Sequence, residues 1–362
     1  MYVLNLLSKY IKLNQLKPEF LEEVYKKQKE TNLFGKWITF KDLENLFSKH
    51  ASKFQIDKIG FSENNIPIFK FKIGNGTKKI LLWSQMHGNE STGTKALFDL
   101  FNCFSNLNEY EFKHILNECT LVFIPMLNPD GANLYTRENA NSIDLNRDAV
   151  DRKAKESKVL RSILDEFKPQ FCFNLHDQRT IFGVEKTTNP ATISFLAPSE
   201  EETRKITFGR RETMNVIVSM NKMLQTFIPN CVGRYTDEFY PTATGDNFQK
   251  LGFNTILIES GHYPKDYERE VSRKFTFFSI LQGIYHISNE NDFSNNEGYF
   301  DIPNNEKIFY DVIHRYPKPK KDLAFQYVDK IIENKLVSSL KIEEETNLKD
   351  KKGHTEIVFE NK

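Results

Sequence analysis

The chain has 362 residues, and its 50 lysines and arginines nearly balance 49 aspartates and glutamates, for a formal net charge of +1. Such a balance provides no global field for nucleic acid or an anionic membrane, and no basic run interleaves with aromatics, so neither partner is expected. The four scattered cysteines (Cys103, Cys119, Cys172, Cys231) form no CxxC and suit a reducing compartment better than a disulfide framework.

Met1–Lys9 lacks a basic leader, a continuous apolar run and a small-residue cleavage site, and no stretch approaches 18 consecutive apolar residues. A cytoplasmic protein is the expectation. The length exceeds the usual single domain, so one large α/β domain with additions, or two domains, is expected.

Residues 1–50 read as short helices, with Pro18 at a helix start and apolar residues at helical spacing behind it. The period then changes. Residues 54–60 and 66–73 alternate, and Gly74-Asn75-Gly76 marks a turn before an apolar strand over 80–84. Beyond it, helices over 91–104, 155–167, 211–227 and 266–287 alternate with apolar strands over 120–126, 171–175 and 255–259. Continuous apolar strands between helices predict an α/β fold with a mixed, largely parallel central sheet and helices on both faces. Cys172 falls inside such a run and reads as core. Residues 289–297 form a polar linker. Residues 298–362 read as a small β-rich appendage or a partly disordered tail, with the charged segment 343–352 as a solvated loop. The expected division is an N-terminal helical extension (1–50), a catalytic domain (51–288), and a C-terminal linker with a β-rich appendage (289–362).

Ligands in such sheets bind at the carboxyl ends of the strands, and candidate chemistry gathers there. His87-Gly88-Asn89-Glu90 follows the strand at 80–84, and His176 closes the run Phe173-Asn174-Leu175. Zinc takes imidazole nitrogen and carboxylate oxygen at ~2.0–2.2 Å, and a catalytic site keeps three protein ligands and one open position. His87, Glu90 and His176 are therefore candidate ligands for one Zn²⁺ per chain. Read singly, His87 is also a polar helix-terminal residue, Glu90 a first-turn acid favoured by the helix dipole, and His176 a core histidine.

Further motifs follow in order: Asn128-Pro129-Asp130-Gly131, then Arg137-Glu138-Asn139 leading to Ile143-Asp144-Leu145-Asn146-Arg147, and finally Gly252-Phe253-Asn254-Thr255-Ile256-Leu257-Ile258-Glu259. With His-x-x-Glu and the lone His176, this series resembles the zinc carboxypeptidases of the carboxypeptidase A type, over roughly residues 54–288. The resemblance implies a carboxypeptidase-like fold and a peptide substrate with a free C-terminal carboxylate. It assigns Glu259 as general base, Arg137 as the arginine that polarises the scissile carbonyl, and Asn146 with Arg147 as the grip on the terminal carboxylate. A guanidinium fork suits a carboxylate on chemical grounds as well. Arg147 paired with Asp144 or Asp148 at the surface is the competing reading.

Tyr240, 19 residues before Glu259, stands about where the family has a mobile tyrosine; Phe239 and Tyr235 compete for that role. Asp177 and Asp144 are candidate acceptors for ligand N–H groups, and His262 reads as a local hydrogen-bonding partner. Asn89 occupies a position where the digestive members carry arginine. His-Gly-Asn-Glu and the compact spacing also resemble the aspartoacylase and succinylglutamate desuccinylase branch, which implies a zinc-dependent deacylase of N-acyl amino acids as the alternative. A binding protein that keeps the fold without the chemistry is the third reading. A serine or cysteine hydrolase lacks a nucleophile motif.

Overall fold

The structure, a computed structural model, describes residues 15–360; the leader-free reading of Met1–Lys9 lies outside them. Two helices open it, α1 (Pro18–Gln28) and α2 (Phe40–His50). Proline is tolerated in the first turn of α1 because that N–H has no intrahelical partner. Thr39 and Asp42 close a capping box on α2. Leu21, Val24, Leu43 and Leu46 carry both helices into the main core.

The next elements are β1 (Gln55–Phe61), β2 (Pro67–Ile73), β3 (Lys78–Trp83), β4 (Cys119–Ile124), β5 (Phe171–Asp177), β6 (Gly183–Val184), β7 (Ile193–Leu196), β8 (Val232–Arg234) and β9 (Asn254–Ser260). All but β6 form one eight-stranded sheet, ordered β1-β2-β4-β3-β5-β9-β7-β8. Its four middle strands are parallel. The β1–β2 hairpin joins antiparallel at one side, and β7 runs antiparallel to β9 at the other. The helices between and after them are α3 (Thr92–Asn106), α4 (Tyr110–Glu118), α5 (Pro129–Leu134), α6 (Lys155–Phe167), α7 (Phe208–Leu224), α8 (Thr244–Lys250) and α9 (Glu270–Asn289).

Strand alternation divides the side chains between two cores. Phe171, Phe173 and Leu175 of β5 join Ile256 and Ile258 of β9 in the larger core, under α3, α7 and α9. Leu81, Trp83 and Cys172 point the other way, against Leu160, Leu164 and Phe248 of α6 and α8. Fully burying one such large apolar side chain contributes roughly 1.5–3 kcal/mol, so both faces of the sheet are held firmly. Helices cover both faces, as the apolar strand runs predict. No helix among the described residues is long and apolar enough to cross a membrane.

The C-terminal segment is ordered as strands. β10 (Asn305–Glu306) pairs with β6, and β11 (Phe309–Arg315), β12 (Asp322–Ile332), β13 (Lys335–Thr346) and β14 (Lys352–Val358) form a four-stranded sheet ordered β13-β12-β11-β14. The expected solvated loop at 343–352 is therefore too long. Residues 343–346 stay in β13, with 344–346 paired to β12, and only the stretch before Lys352 turns. This sheet packs against the main body through Lys36 Nζ to Asp329 Oδ2 at 2.6 Å and the Tyr267–Tyr327 ring pair at 5.2 Å.

Candidate active site

Parallel strands that end at the same level bring the candidate residues together. His87 and Glu90 lie on the turn between β3 and α3, where Glu90 N donates to His87 O at 3.1 Å. That turn needs glycine: a Cβ on Gly88 would fall 1.9 Å from the backbone of Gly131. The Asn-Pro-Asp-Gly motif supplies the other side of this contact. Asn128 caps α5 by accepting from Gly131 N at 2.8 Å and donates to Met86 O at 3.1 Å, while Asp130 accepts from Ser62 Oγ and Asn64 N. The motif thus positions the turn that carries His87 and Glu90.

His176 and Glu259 are register partners on β5 and β9, so their side chains leave the same face of the sheet. His87 Nδ1 and His176 Nδ1 stand 3.2 Å apart. Each is 2.9 Å from one oxygen of Glu90, Oε1 for His87 and Oε2 for His176. At most one of two nitrogens that face each other at this distance carries a proton, so a lone pair and a carboxylate converge on one point. Atoms held ~2.0–2.1 Å from a tetrahedral ion lie ~3.3–3.4 Å apart, so the donor set fits zinc in both chemistry and spacing. Among the described residues, this trio is the only group of three such side chains whose ligand atoms all lie within 4.8 Å of one another.

Asp144 orients this centre. Its Oδ1 lies 3.1 Å from His87 Nε2 and accepts from Asn146 N at 2.9 Å, while Oδ2 accepts from Arg137 Nε at 3.0 Å. One carboxylate therefore fixes a histidine, an arginine and the short 3-10 turn that carries the expected carboxylate grip. Asp177 does not share this task. Being next to His176 on a strand, it points to the opposite face, where its Oδ2 accepts from Thr92 N and Oγ1 at the start of α3. His176 Nε2 is buried and has no partner.

The electrostatics follow from burial against charge. Burial pushes Glu90 up, but His87 and His176 outweigh it and hold the carboxylate well below its usual range. Burial lowers His87 as well, yet Glu90 and Asp144 overcome it and raise the imidazole. For His176 burial prevails and the imidazole is lowered. Glu259 is pushed well above the ordinary carboxylate range by burial, then by repulsion from Glu90 and Asp177.

A cavity of about 310 Å³ opens over these groups. It is lined by all eight site residues expected from the sequence: His87, Glu90, Arg137, Asn146, Arg147, His176, Tyr240 and Glu259. Arg137 Nη1 lies 3.4 Å from Glu90 Oε1 and 3.2 Å from His87 Nδ1, beside the candidate metal-ligand trio. Asn146 Oδ1 accepts from Thr244 N at 3.0 Å, which ties the 3-10 turn to α8. Arg147 is exposed to the cavity. Its guanidinium carbon lies 5.9 Å from the Tyr240 ring centroid, and neither Asp144 nor Asp148 pairs with it. Tyr240 keeps its hydroxyl on Glu238 Oε2 at 2.8 Å. Tyr235 also lines the cavity, whereas Phe239 packs under Lys250.

Two residues escaped the sequence reading. Asp246 lines the cavity, accepts from Tyr240 N at 3.2 Å and is raised by burial to about 6. Arg269 is buried behind the site, where it donates to Ser260 O, Gly261 O and Gln178 O and so braces the ends of β5 and β9. No local signal marks Arg269. The closeness of Asp246 to Tyr240 in the chain was the one signal for Asp246.

Residues 40–222 match the zinc carboxypeptidase family. Carboxypeptidase SOL1 of Arabidopsis thaliana is 32% identical over 192 residues, which is 46% of this chain and 39% of that protein. Carboxypeptidase 2 of Trichophyton equinum is 23% identical over 143 residues, 39% of this chain and 25% of that protein. The chain thus spans well under half the length of these curated relatives. Solved structures share the fold at low identity. The metallo-carboxypeptidase of Burkholderia cenocepacia superposes with a TM-score of 0.56 over 69% of each chain at 13% identity. Carboxypeptidase A of Helicoverpa armigera gives 0.55 at 15% identity, over 78% of this chain and 81% of that one. The family match spans more than half of the residues and contains both histidines, Glu90, Arg137, Asn146 and Arg147; the chain belongs to the zinc carboxypeptidase family.

Proposed function

We propose that the protein is a zinc-dependent hydrolase that removes C-terminal residues from peptides. The observation that carries the reading is the convergence of His87 Nδ1, His176 Nδ1 and the Glu90 carboxylate beneath a cavity that also holds Glu259, Arg137 and the Asn146–Arg147 pair. Zinc held by those three ligands would supply Lewis acidity for an attacking water and for the scissile carbonyl. The remaining work belongs to the chain's own groups. Glu259 takes the proton of the attacking water and returns it to the leaving amine, a task suited to a carboxylate whose proton affinity burial has raised. Arg137 donates to the oxygen on which negative charge develops. Asn146 and Arg147 hold the terminal carboxylate, and the fixed gap between them and the metal ligands selects the last peptide bond. Tyr240 closes over the bound residue, a role supported by its exposed ring beside Arg147.

Protein supplied with zinc, assayed against a panel of peptides and N-acyl amino acids, tests this. Release of single C-terminal amino acids, lost with a chelator and restored by zinc, is the expected result. Preferential turnover of N-acyl amino acids would make the deacylase reading correct instead, and turnover of neither would favour a binding protein. The ligand assignment has its own check, because an open catalytic site has only three protein ligands. Metal analysis of chelator-free protein is expected to give about one equivalent of zinc, and folded His176→Ala much less. Full zinc retention by that variant would refute the ligand set.

A further inference from the structure

A second, smaller space of about 70 Å³ lies where the C-terminal sheet meets the main body. Asp177 and Arg179 wall both it and the larger cavity, while the proposed carboxylate grip, Asn146 and Arg147, lines the larger one alone. The smaller space therefore adjoins the larger cavity along a wall that excludes the grip. Its floor comes from Asp177 and Asn89, the immediate neighbours of His176 and Glu90 in the chain; its roof comes from Asp311 on β11 and Tyr327 on β12.

The unanswered polar atoms here are acceptors. Asp177 Oδ1 and Asn89 Oδ1 are buried without a hydrogen bond. Asp311 Oδ1 also lacks one of normal geometry, although the Tyr267 hydroxyl stands near; its Oδ2 accepts from Tyr327 N at 2.8 Å. Asp177 and Asp311 are each only 6% exposed. Leaving a buried acceptor unpaired costs roughly 1–3 kcal/mol, more if it is charged, so the site calls for a donor. The cations at this space are otherwise engaged or solvated. Lys36 pairs with Asp329, and Arg179 is exposed at the rim. Arg269, whose N–H groups go to three backbone carbonyls and face His262 Nε2, offsets part of the Asp177 charge without donating to it. Tyr267 and Tyr327, edge to face at 5.2 Å, add ring surface of the kind that attracts an ammonium.

We infer that this space seats the free α-ammonium of a short peptide, so that the substrates are di- and tripeptides rather than long chains. The inference rests on the carboxypeptidase reading above and narrows it. The two spaces share the Asp177 and Arg179 wall, so the amino terminus that reaches this one belongs to a peptide with few residues upstream of the scissile bond. A longer chain meets the C-terminal sheet there. An unrestricted carboxypeptidase is indifferent to a blocked amino terminus; this one discriminates.

The test compares a tripeptide with its N-acetylated form, using the full-length, zinc-loaded protein. A charge-assisted hydrogen bond is lost on acetylation, so kcat/KM is expected to fall ~10- to 100-fold. Asp311→Asn keeps the bond from Tyr327 N but removes the charge. It should shrink that gap, mainly by slowing the free peptide. Binding of the same pair to zinc-loaded Glu259→Gln, followed by calorimetry, reads the ammonium seat without turnover, and the free form should bind at least ~10-fold more tightly. Equal affinities, or equal turnover of free and acetylated peptide, would overturn the inference. Tighter binding of the free form with no cleavage by wild type would uphold the seat and count only against the carboxypeptidase reading.

Discussion

Glu259→Gln is expected to retain zinc and lose activity by ~10²–10⁴-fold, the usual range for a positioned general base. The substitution keeps the size and acceptor shape of the side chain and removes only its ability to take a proton. Glu259 sits within β9, register-paired to His176 on one side and Ser194 on the other, so the strand fixes its position independently of the charge. Folding is not expected to suffer. Burial and the neighbouring Glu90 and Asp177 carboxylates already disfavour the ionised form, so a neutral amide relieves repulsion. The measurement is kcat/KM alongside zinc content and melting temperature. Near-normal turnover, or zinc lost together with activity, would identify another residue as the base and make Glu259 part of the metal site or the fold.

The candidate metal ligands and Glu259 were legible because His176 and Glu259 close apolar strand runs and His87 and Glu90 follow one, and parallel strands flanked by helices deliver such ends to one edge of the sheet. His176 and Glu259 needed no knowledge of the loops. Asp177 was misread for a reason contained in the same geometry. Residues adjacent on a strand face opposite sides, so the neighbour of an inward ligand points away from it, here to Thr92. Asp144 was placed correctly beside a ligand, but its three-way hold on His87, Arg137 and Asn146 depends on a turn whose path only the folded chain shows.

The Asn-Pro-Asp-Gly motif was visible as a family mark, yet its work depends on two glycine backbones from distant segments meeting at Gly88 and Gly131. The C-terminal sheet was hardest to read. β13 is exposed along most of its length and β12 is only half-buried, so neither carries the strong apolar alternation that marks a strand against a core.

Amidating the C-terminus of a good peptide substrate is expected to lower kcat/KM by at least ~30-fold. If Arg147 and Asn146 grip a free carboxylate, amidation replaces the anion with a neutral group that offers the guanidinium fork no bidentate partner. Truncating one member of a buried charge pair at an interface costs ~2–5 kcal/mol, which at 1.4 kcal/mol per decade is ~30- to 4,000-fold. Arg147 is exposed in the cavity, where water screens it and replaces part of the lost contact, so the lower end of that range applies. Closure of Tyr240 over the bound residue would exclude that water and move the effect upward.

Arg147→Ala separates these contributions. It should slow the free peptide far more than the amidated one and so narrow the difference between them, while zinc content stays unchanged because Arg147 touches none of the three ligands. The assay follows initial rates on the matched pair for wild type and variant. An endopeptidase or amidase would cleave amidated and free peptides alike, and that equality would remove Asn146 and Arg147 from the substrate grip, leaving Arg147 as a cation stacked on Tyr240 at the rim of the cavity.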